Sequence, residues 1–351
     1  MVSYFDSQHP ARGDKFVSRS ETARALANQI RDKKFSTIYA PAGYGKATLV
    51  QKAFKMLEAE RYPVKIVTMD LFNITTEAAF CKLYVDSCRG HIEDYNRDAL
   101  LPIIMNLSSI STSAAINLPH LLSSVTGLHF VIYFKEFQNL LSMDGGEKLL
   151  KLMERELDNH QDVAYVVTGE QLNKMKEIFE RRKFFYRINC NIPLEPLQQS
   201  DCISYLRNGF LKSGKDLDED TALELYNISK GYPLVMNGLA TICDTVAPGY
   251  INRRTFAGAV EAYLDSREYD YRFITGNLTG NQVNFLRAVC DGVKQFSSSE
   301  VLRKYHLHSS ANVFRLKEAL SKKEIVTFDS EERAFVIDPM FELWLKRRYF
   351  V

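Results

Sequence analysis

Apolar and polar positions fall into two alternating patterns over the first half of the chain. Five short strand-like runs, rich in apolar or β-branched residues, recur: Ser36–Tyr39, Val64–Asp70, His129–Phe134, Val163–Thr168 and Asn189–Leu194. Between them, apolar residues recur at helical spacing in Ala47–Arg61, Thr75–Cys88, Asn117–Val125, Gly146–Asn159 and Gln171–Arg181. Continuous apolar runs read as strands covered on both faces, and the spaced ones as amphipathic helices. Their alternation predicts an α/β domain, a parallel sheet with helices on both faces. A further helix is expected from Thr22, with Ser20 as its N-cap.

After Pro196 the strand signal stops. Asp201–Ser213, Asp218–Ser229, Pro233–Val246 and Arg253–Ser266 read as helices, punctuated at Gly214, Gly231 and Pro248-Gly249. Arg267–Gly280 reads as a mixed polar and aromatic connector. Helices follow at Gln282–Asp291, Ser298–Tyr305 and Ser309–Lys323, then short strands at Ile325–Phe328 and Ala334–Ile337. Three helices and a hairpin in that order predict a winged helix. The expected organisation is an α/β domain over 1–197, a helical domain over 198–270 and a winged-helix domain over 271–351.

The most informative stretch is Ser36–Val50, where a strand-like run meets a small-residue loop and then a helix. The loop holds Gly43, Gly45 and Lys46. Backbone N–H groups wrap phosphates in such a loop, the helix N-terminus adds partial positive charge, and the lysine adds a full one. Ala42, Gly43, Tyr44, Gly45, Lys46, Ala47 and Thr48 are therefore candidate nucleotide-binding residues. The pattern G-x-x-x-x-G-K-[ST] wants glycine at position 40 and a hydroxyl at 47, whereas this chain has Ala40 and Ala47. Thr48 faces about 100° further round the helix.

A second strand, His129–Phe134, ends in Lys135-Glu136. P-loop ATPases place an acid there to hold Mg²⁺ and a residue beside it to orient the attacking water. Glu136 is the candidate for the water-positioning role, while Lys135 stands where the metal-holding acid belongs. Ala47 and Lys135 both bear on one ion, so Mg²⁺ handling is expected to be impaired. Lys135 is expected to supply counter-charge to the phosphates in place of the metal.

With these residues in hand, the chain resembles the P-loop ATPases of the STAND and AAA+ group, and among them the archaeal-type ATPase family. Phe16–Glu21 resembles the family's Phe-x-x-Arg-x-x-Glu opening, displaced by one residue at the acid, and the resemblance implies Arg19 beside the base. Val166–Glu170 resembles the strand ending in a polar sensor, here Gly169-Glu170. Phe184–Arg187, followed by Ile192–Leu197, resembles the arginine-bearing stretch before the last strand, which makes Arg187 a candidate to reach the phosphates. Gly231-Tyr232-Pro233 resembles the helical-domain motif packed near the base, and Asp338–Leu345 the family's ending after the wing. The resemblance implies ATP or ADP as ligand and a nucleotide-governed switch. The departures at Ala40, Ala47, Lys135 and Glu170 put hydrolysis in doubt more than fold. An active Mg²⁺-dependent ATPase and a winged-helix DNA-binding regulator are the alternative readings.

Composition narrows the partners. In 351 residues the net charge is +2, which gives no global case for nucleic acid or an anionic membrane. The helix Ser309–Lys323 carries Arg315, Lys317, Lys322 and Lys323, but the wing Ser330–Arg333 is acidic at its tip. A protein partner through the helical or winged-helix domain is therefore preferred to DNA. Six scattered cysteines without a C-x-x-C suit reduced thiols. No apolar run reaches the roughly 18 residues that span a bilayer. No signal-peptide pattern opens the chain, so a cytoplasmic protein is expected. The histidines are isolated or poorly spaced, and no metal site is expected.

Overall fold

The computed structural model describes residues 3–5, 9, 11, 13–15, 17–92 and 110–351. Two compact units divide the chain. One holds Arg19–Ala42 and Lys46–Leu194; the other holds Gly43–Gly45, Glu195–Val351 and the described part of 1–18.

The first unit is a five-stranded sheet. Its strands are β1 (Phe35–Tyr39), β2 (Val64–Asp70), β3 (His129–Lys135), β4 (Val163–Gly169) and β5 (Asn189–Asn191). All pairings are parallel, in the order β2-β3-β4-β1-β5. Side chains alternate between faces along each strand. In β3, Val131 and Tyr133 turn to one face, where they meet helices α1 (Ser20–Arg31) and α2 (Lys46–Ala59) through Leu26, Ile30, Leu49 and Ala53. Phe130, Ile132 and Phe134 turn to the other, against the helices Glu77–Ile92, Thr112–Thr126 and Gly146–Leu157. Burial on both faces is why the central strands β3 and β4 are apolar at nearly all successive positions. The expected α/β sheet with helices on both faces is the observed one.

Three local expectations are corrected. Ser20 is the first residue of α1 rather than its N-cap. Ser18 and Arg19 both take left-handed backbone (φ 53° and 64°), which leaves the cap position to Arg19 with no side-chain cap. The helix expected from Asn117 begins at Thr112, because Ser111 Oγ accepts a hydrogen bond from Ala114 N at 3.3 Å and caps it. β5 stops at Asn191, three residues short of the expected end. Pro193 has no N–H to offer a ladder, and the edge position gives the strand one neighbour only. The Thr37 hydroxyl sits 2.8 Å from Asn189 Oδ1 and 3.3 Å from Asn191 Oδ1, which ties the edge strand to β1.

The second unit begins with helices Gln199–Lys212, Glu219–Ser229 and Pro233–Val246. A two-residue parallel pair, β6 (Asp216–Leu217) and β7 (Tyr250–Ile251), went unread in the sequence because it is too short to show alternation. The stretch read as a connector is instead the second half of one helix, Arg253–Gly276. Leu264, Tyr271 and Thr275 are buried along one side of it. Tyr271 packs 5.2 Å from the Phe341 ring and 5.7 Å from Trp344, so tertiary contact holds this half helical. The winged helix follows as expected: Gly280–Cys290, Ser299–Lys304 and Ser310–Lys322, then the antiparallel β8 (Val326–Phe328) and β9 (Ala334–Val336). A capping box of Thr279 and Gln282 starts its first helix.

The cysteines are free. Burial pushes the Cys88, Cys243 and Cys290 thiols up to about 12. Among the described residues, no helix is long and apolar enough to cross a membrane.

Candidate nucleotide-binding site

The loop after β1 turns on two glycines. Gly43 (φ 72°) and Gly45 (φ 91°) take conformations that side chains disfavour, and α2 begins at Lys46 itself. The first turn of a helix presents backbone N–H groups that lack helical partners, so its start suits phosphate. Lys46 is only 5% exposed. Its Nζ donates to Ala40 O at 2.7 Å and Pro41 O at 2.8 Å, and stands 3.5 Å from Glu170 Oε1. Burial lowers the Lys46 pKa, while the neighbouring Glu170 and, more weakly, Glu136 oppose that shift.

Strand order brings the other predicted residues to the same edge. β4 lies between β1 and β3. Ala40 N meets Gly169 O at 3.4 Å, and Phe137 N donates to Thr168 O at 3.1 Å. Glu170 therefore leaves β4 between Lys46 and Glu136. Glu136 takes a left-handed backbone (φ 56°), and its Oε2 accepts from Gln138 Nε2 at 2.7 Å. Burial raises the Glu136 pKa, Glu170 and Asp70 add to the rise, and Gln138 and Lys46 counter it. Gln138 is 1% exposed, and its Oε1 has no hydrogen-bond partner among the described residues. Gly169 makes room for this amide: a Cβ there would stand 2.6 Å from Gln138 Oε1 and 2.4 Å from Met175 Sδ.

Two sequence expectations do not survive this geometry. Lys135 Nζ is held by Asp70 Oδ2 at 2.6 Å. β2 flanks β3 on the side away from β4 and β1, so the ammonium leans away from the phosphate loop and is not placed as its counter-charge. Arg187 precedes Asn189, which pairs with Phe35 at the start of β1. It lines a cleft with Asp32, Lys34 and Asp158 at the N-terminal edge of the sheet, the end opposite the loop. Register alone removes it from the phosphates.

Arg19 caps α1 in the same unit as Lys46, whereas Phe16 of the same motif lies outside the described residues. Tyr232 and Pro233 open the helix Pro233–Val246, with proline in the first turn. Tyr44 groups with them in the second unit, its ring 5.0 Å from that of Tyr232. A Cβ on Gly43 would stand 2.6 Å from Leu234 Cβ, so glycine is required there for space as well as for φ.

Sequence reasoning passed over Asp70. A strand ending in an acid beside one ending in Lys135 was the available signal for Asp70. Lys46, at the first turn of α2, carries a charge of the sign that suits a phosphate. Mg²⁺ wants oxygen ligands, and two of the groups that secure it in a P-loop are replaced in this chain. Ala47 has no hydroxyl, and the ammonium of Lys135 engages the Asp70 carboxylate.

Residues 269–347 match a family described as a probable winged helix domain. No curated protein is similar to the chain in sequence. Among solved structures, a Walker-type ATPase of Pyrococcus abyssi is similar at 17% identity with a TM-score of 0.72, covering 98% of this chain and 99% of that one. The ORC2 protein of Aeropyrum pernix, solved in ADPNP–ADP complexes, is similar at 13% identity and a TM-score of 0.61, covering 96% and 93%. The Cdc6 protein of Pyrobaculum aerophilum is similar at 14% identity and a TM-score of 0.51, covering 97% and 95%. The chain thus has an ORC/Cdc6-like P-loop ATPase fold with a C-terminal winged helix domain.

Proposed function

We propose that this protein binds ATP or ADP through Lys46 and the backbone of Gly43–Ala47, and acts as a nucleotide-dependent switch or scaffold of the STAND/AAA+ type with weak or absent hydrolysis. The observation that carries the reading is the state of Lys46. It is a P-loop lysine, buried in its own loop, at the edge where Glu170 and Glu136 also emerge. The retained lysine and glycines support binding, and the loss of the hydroxyl at 47 and the acid at 135 supports poor metal-assisted turnover. The ADPNP–ADP complexes of the ORC2 protein agree with an adenine nucleotide.

The partner is a protein rather than DNA, although the ORC1 protein of Aeropyrum pernix was solved with DNA. Within the winged helix, Lys317 Nζ pairs with Glu332 at 3.2 Å and lies over the Phe328 ring, and Lys323 Nζ donates to Asn277 O. Two of the four basic residues of the third helix and its C-cap are thus engaged inside the domain, and the wing carries Glu331 and Glu332. Phosphate contacts want the reverse.

Calorimetric titration of ATP and ADP, with Mg²⁺ and with EDTA, tests the reading when combined with a phosphate-release assay. Binding in EDTA without release is the expected result. Mg²⁺-dependent turnover that Glu136→Gln abolishes would establish an active ATPase instead.

A further inference from the structure

The carboxylate beside Lys46 has a consequence for which nucleotide the loop accepts. Lys46 Nζ has two neutral partners on the loop side, Ala40 O and Pro41 O, and one charged partner on the sheet side, Glu170 Oε1 at 3.5 Å. Glu170 emerges from β4, and Glu136 stands beyond it at the end of β3. Asp70 ends β2 further along, already matched by Lys135. Two carboxylates thus face one buried ammonium at this edge. In a P-loop the lysine meets the β- and γ-phosphates, and the γ-phosphate is the group that faces the strand-end acid. A divalent cation ordinarily bridges the β- and γ-oxygens and neutralises their charge. Ala47 and Lys135 supply neither the hydroxyl nor the acid that secures that cation.

We infer that Glu170 is a specificity-determining residue that turns the site against nucleoside triphosphates and toward diphosphates. The inference rests on the nucleotide reading proposed above. A terminal γ-phosphate must displace the Glu170 carboxylate from the ammonium or lie against it, and Glu136 adds repulsion of the same sign. A ligand whose charge ends at the β-phosphate keeps the loop donors and shares Lys46 with Glu170. Like charges within about 6 Å at an effective dielectric near 20 are enough to change affinity tenfold or more.

The test is isothermal titration of ADP and of ATP, in EDTA, into the wild-type chain, Glu170→Gln and Lys46→Ala. Glu170 is 42% exposed on its side chain, so an isosteric amide is accommodated without loss of core. The expected result is wild-type ADP affinity about tenfold or more above that for ATP, with Glu170→Gln bringing the two within about threefold, chiefly by tighter ATP binding. Equal wild-type affinities, or a preference that survives Glu170→Gln, would overturn this inference alone, provided Lys46→Ala weakens both ligands. No binding of either nucleotide by the wild type or Glu170→Gln would overturn the nucleotide reading and this inference with it.

Discussion

Lys135 and Asp70 face each other in register across two parallel strands, Nζ 2.6 Å from Oδ2, and close a charge pair at the edge of the sheet. Both side chains are more than a third exposed, so solvent screens the pair and its worth is modest. Lys135→Ala is expected to cost less than about 1 kcal/mol, and the exchange Asp70→Lys with Lys135→Asp to recover most of it. A double-mutant cycle from urea unfolding measures the coupling. Nucleotide affinity in EDTA is expected to be unchanged in Lys135→Ala, because the ammonium leans away from the loop. A clear loss of affinity would restore the counter-charge role.

Glu136 lies among like charges. Burial raises its pKa in the folded chain, so ionisation opposes folding once the pH exceeds the unfolded value. Glu136→Gln is therefore expected to raise the melting temperature at pH 7 by a few degrees, on the order of 1–4 °C. The amide can still meet Gln138. The gain should vanish below about pH 4, where the carboxyl is protonated in both states. Equal melting temperatures at pH 7 would show that Gln138 already compensates the charge.

His160 predicts the acid limb of stability. Its Nε2 lies 2.7 Å from Asn117 Oδ1 and its Nδ1 2.5 Å from the Tyr165 hydroxyl. Asn117 Nδ2 donates to Ser113 O and Glu156, so its oxygen is left to accept from the ring, and Tyr165 donates to the other nitrogen. That arrangement needs neutral imidazole. Burial, with His120 stacked beside it, lowers the His160 pKa to about 4. The unfolded chain takes up this proton first. The stabilisation is full above about pH 6.5 and is lost as the pH falls toward 4, a change of about 3 kcal/mol. Chemical unfolding at stepped pH should show that slope, and His160→Gln should flatten it.

The helical second half of Arg253–Gly276 is open to a direct test. Tyr269 is 80% exposed, so replacing it removes little packing. Tyr269→Pro should cost about 3 kcal/mol or more, because proline removes a helical hydrogen bond and clashes with the preceding turn. Tyr269→Ala should stay within about 0.5 kcal/mol. A connector would tolerate both equally.

Legibility in the sequence followed burial. β3 and β4 were readable because both their faces are covered, which forces apolar residues at successive positions. The second half of Arg253–Gly276 was not. Its inward residues include Tyr271 and Thr275, while Tyr269 and Phe273 sit outside, so the outward aromatics hide the helical period. At the candidate site, Lys46 and Glu136 announced themselves through local spacing. The contact between Lys46 and Glu170 did not, since only the order of strands brings the ends of β1 and β4 together. Arg187 failed for the same reason in reverse: it was placed by motif order, and parallel register sends it to the other end of the sheet.

The short edge strand has a bearing on how the protein keeps as a concentrated sample. β5 offers three residues, Asn189–Asn191, before Pro193 ends any ladder, and their amide side chains turn back toward Thr37. An unfolded or misregistered copy needs a long, flat row of free backbone groups to template growth. This border is too brief and too polar to provide one, so accretion of further strands is left to the opposite border, the seven-residue β2, where Lys65 and Asp70 place charges along the edge.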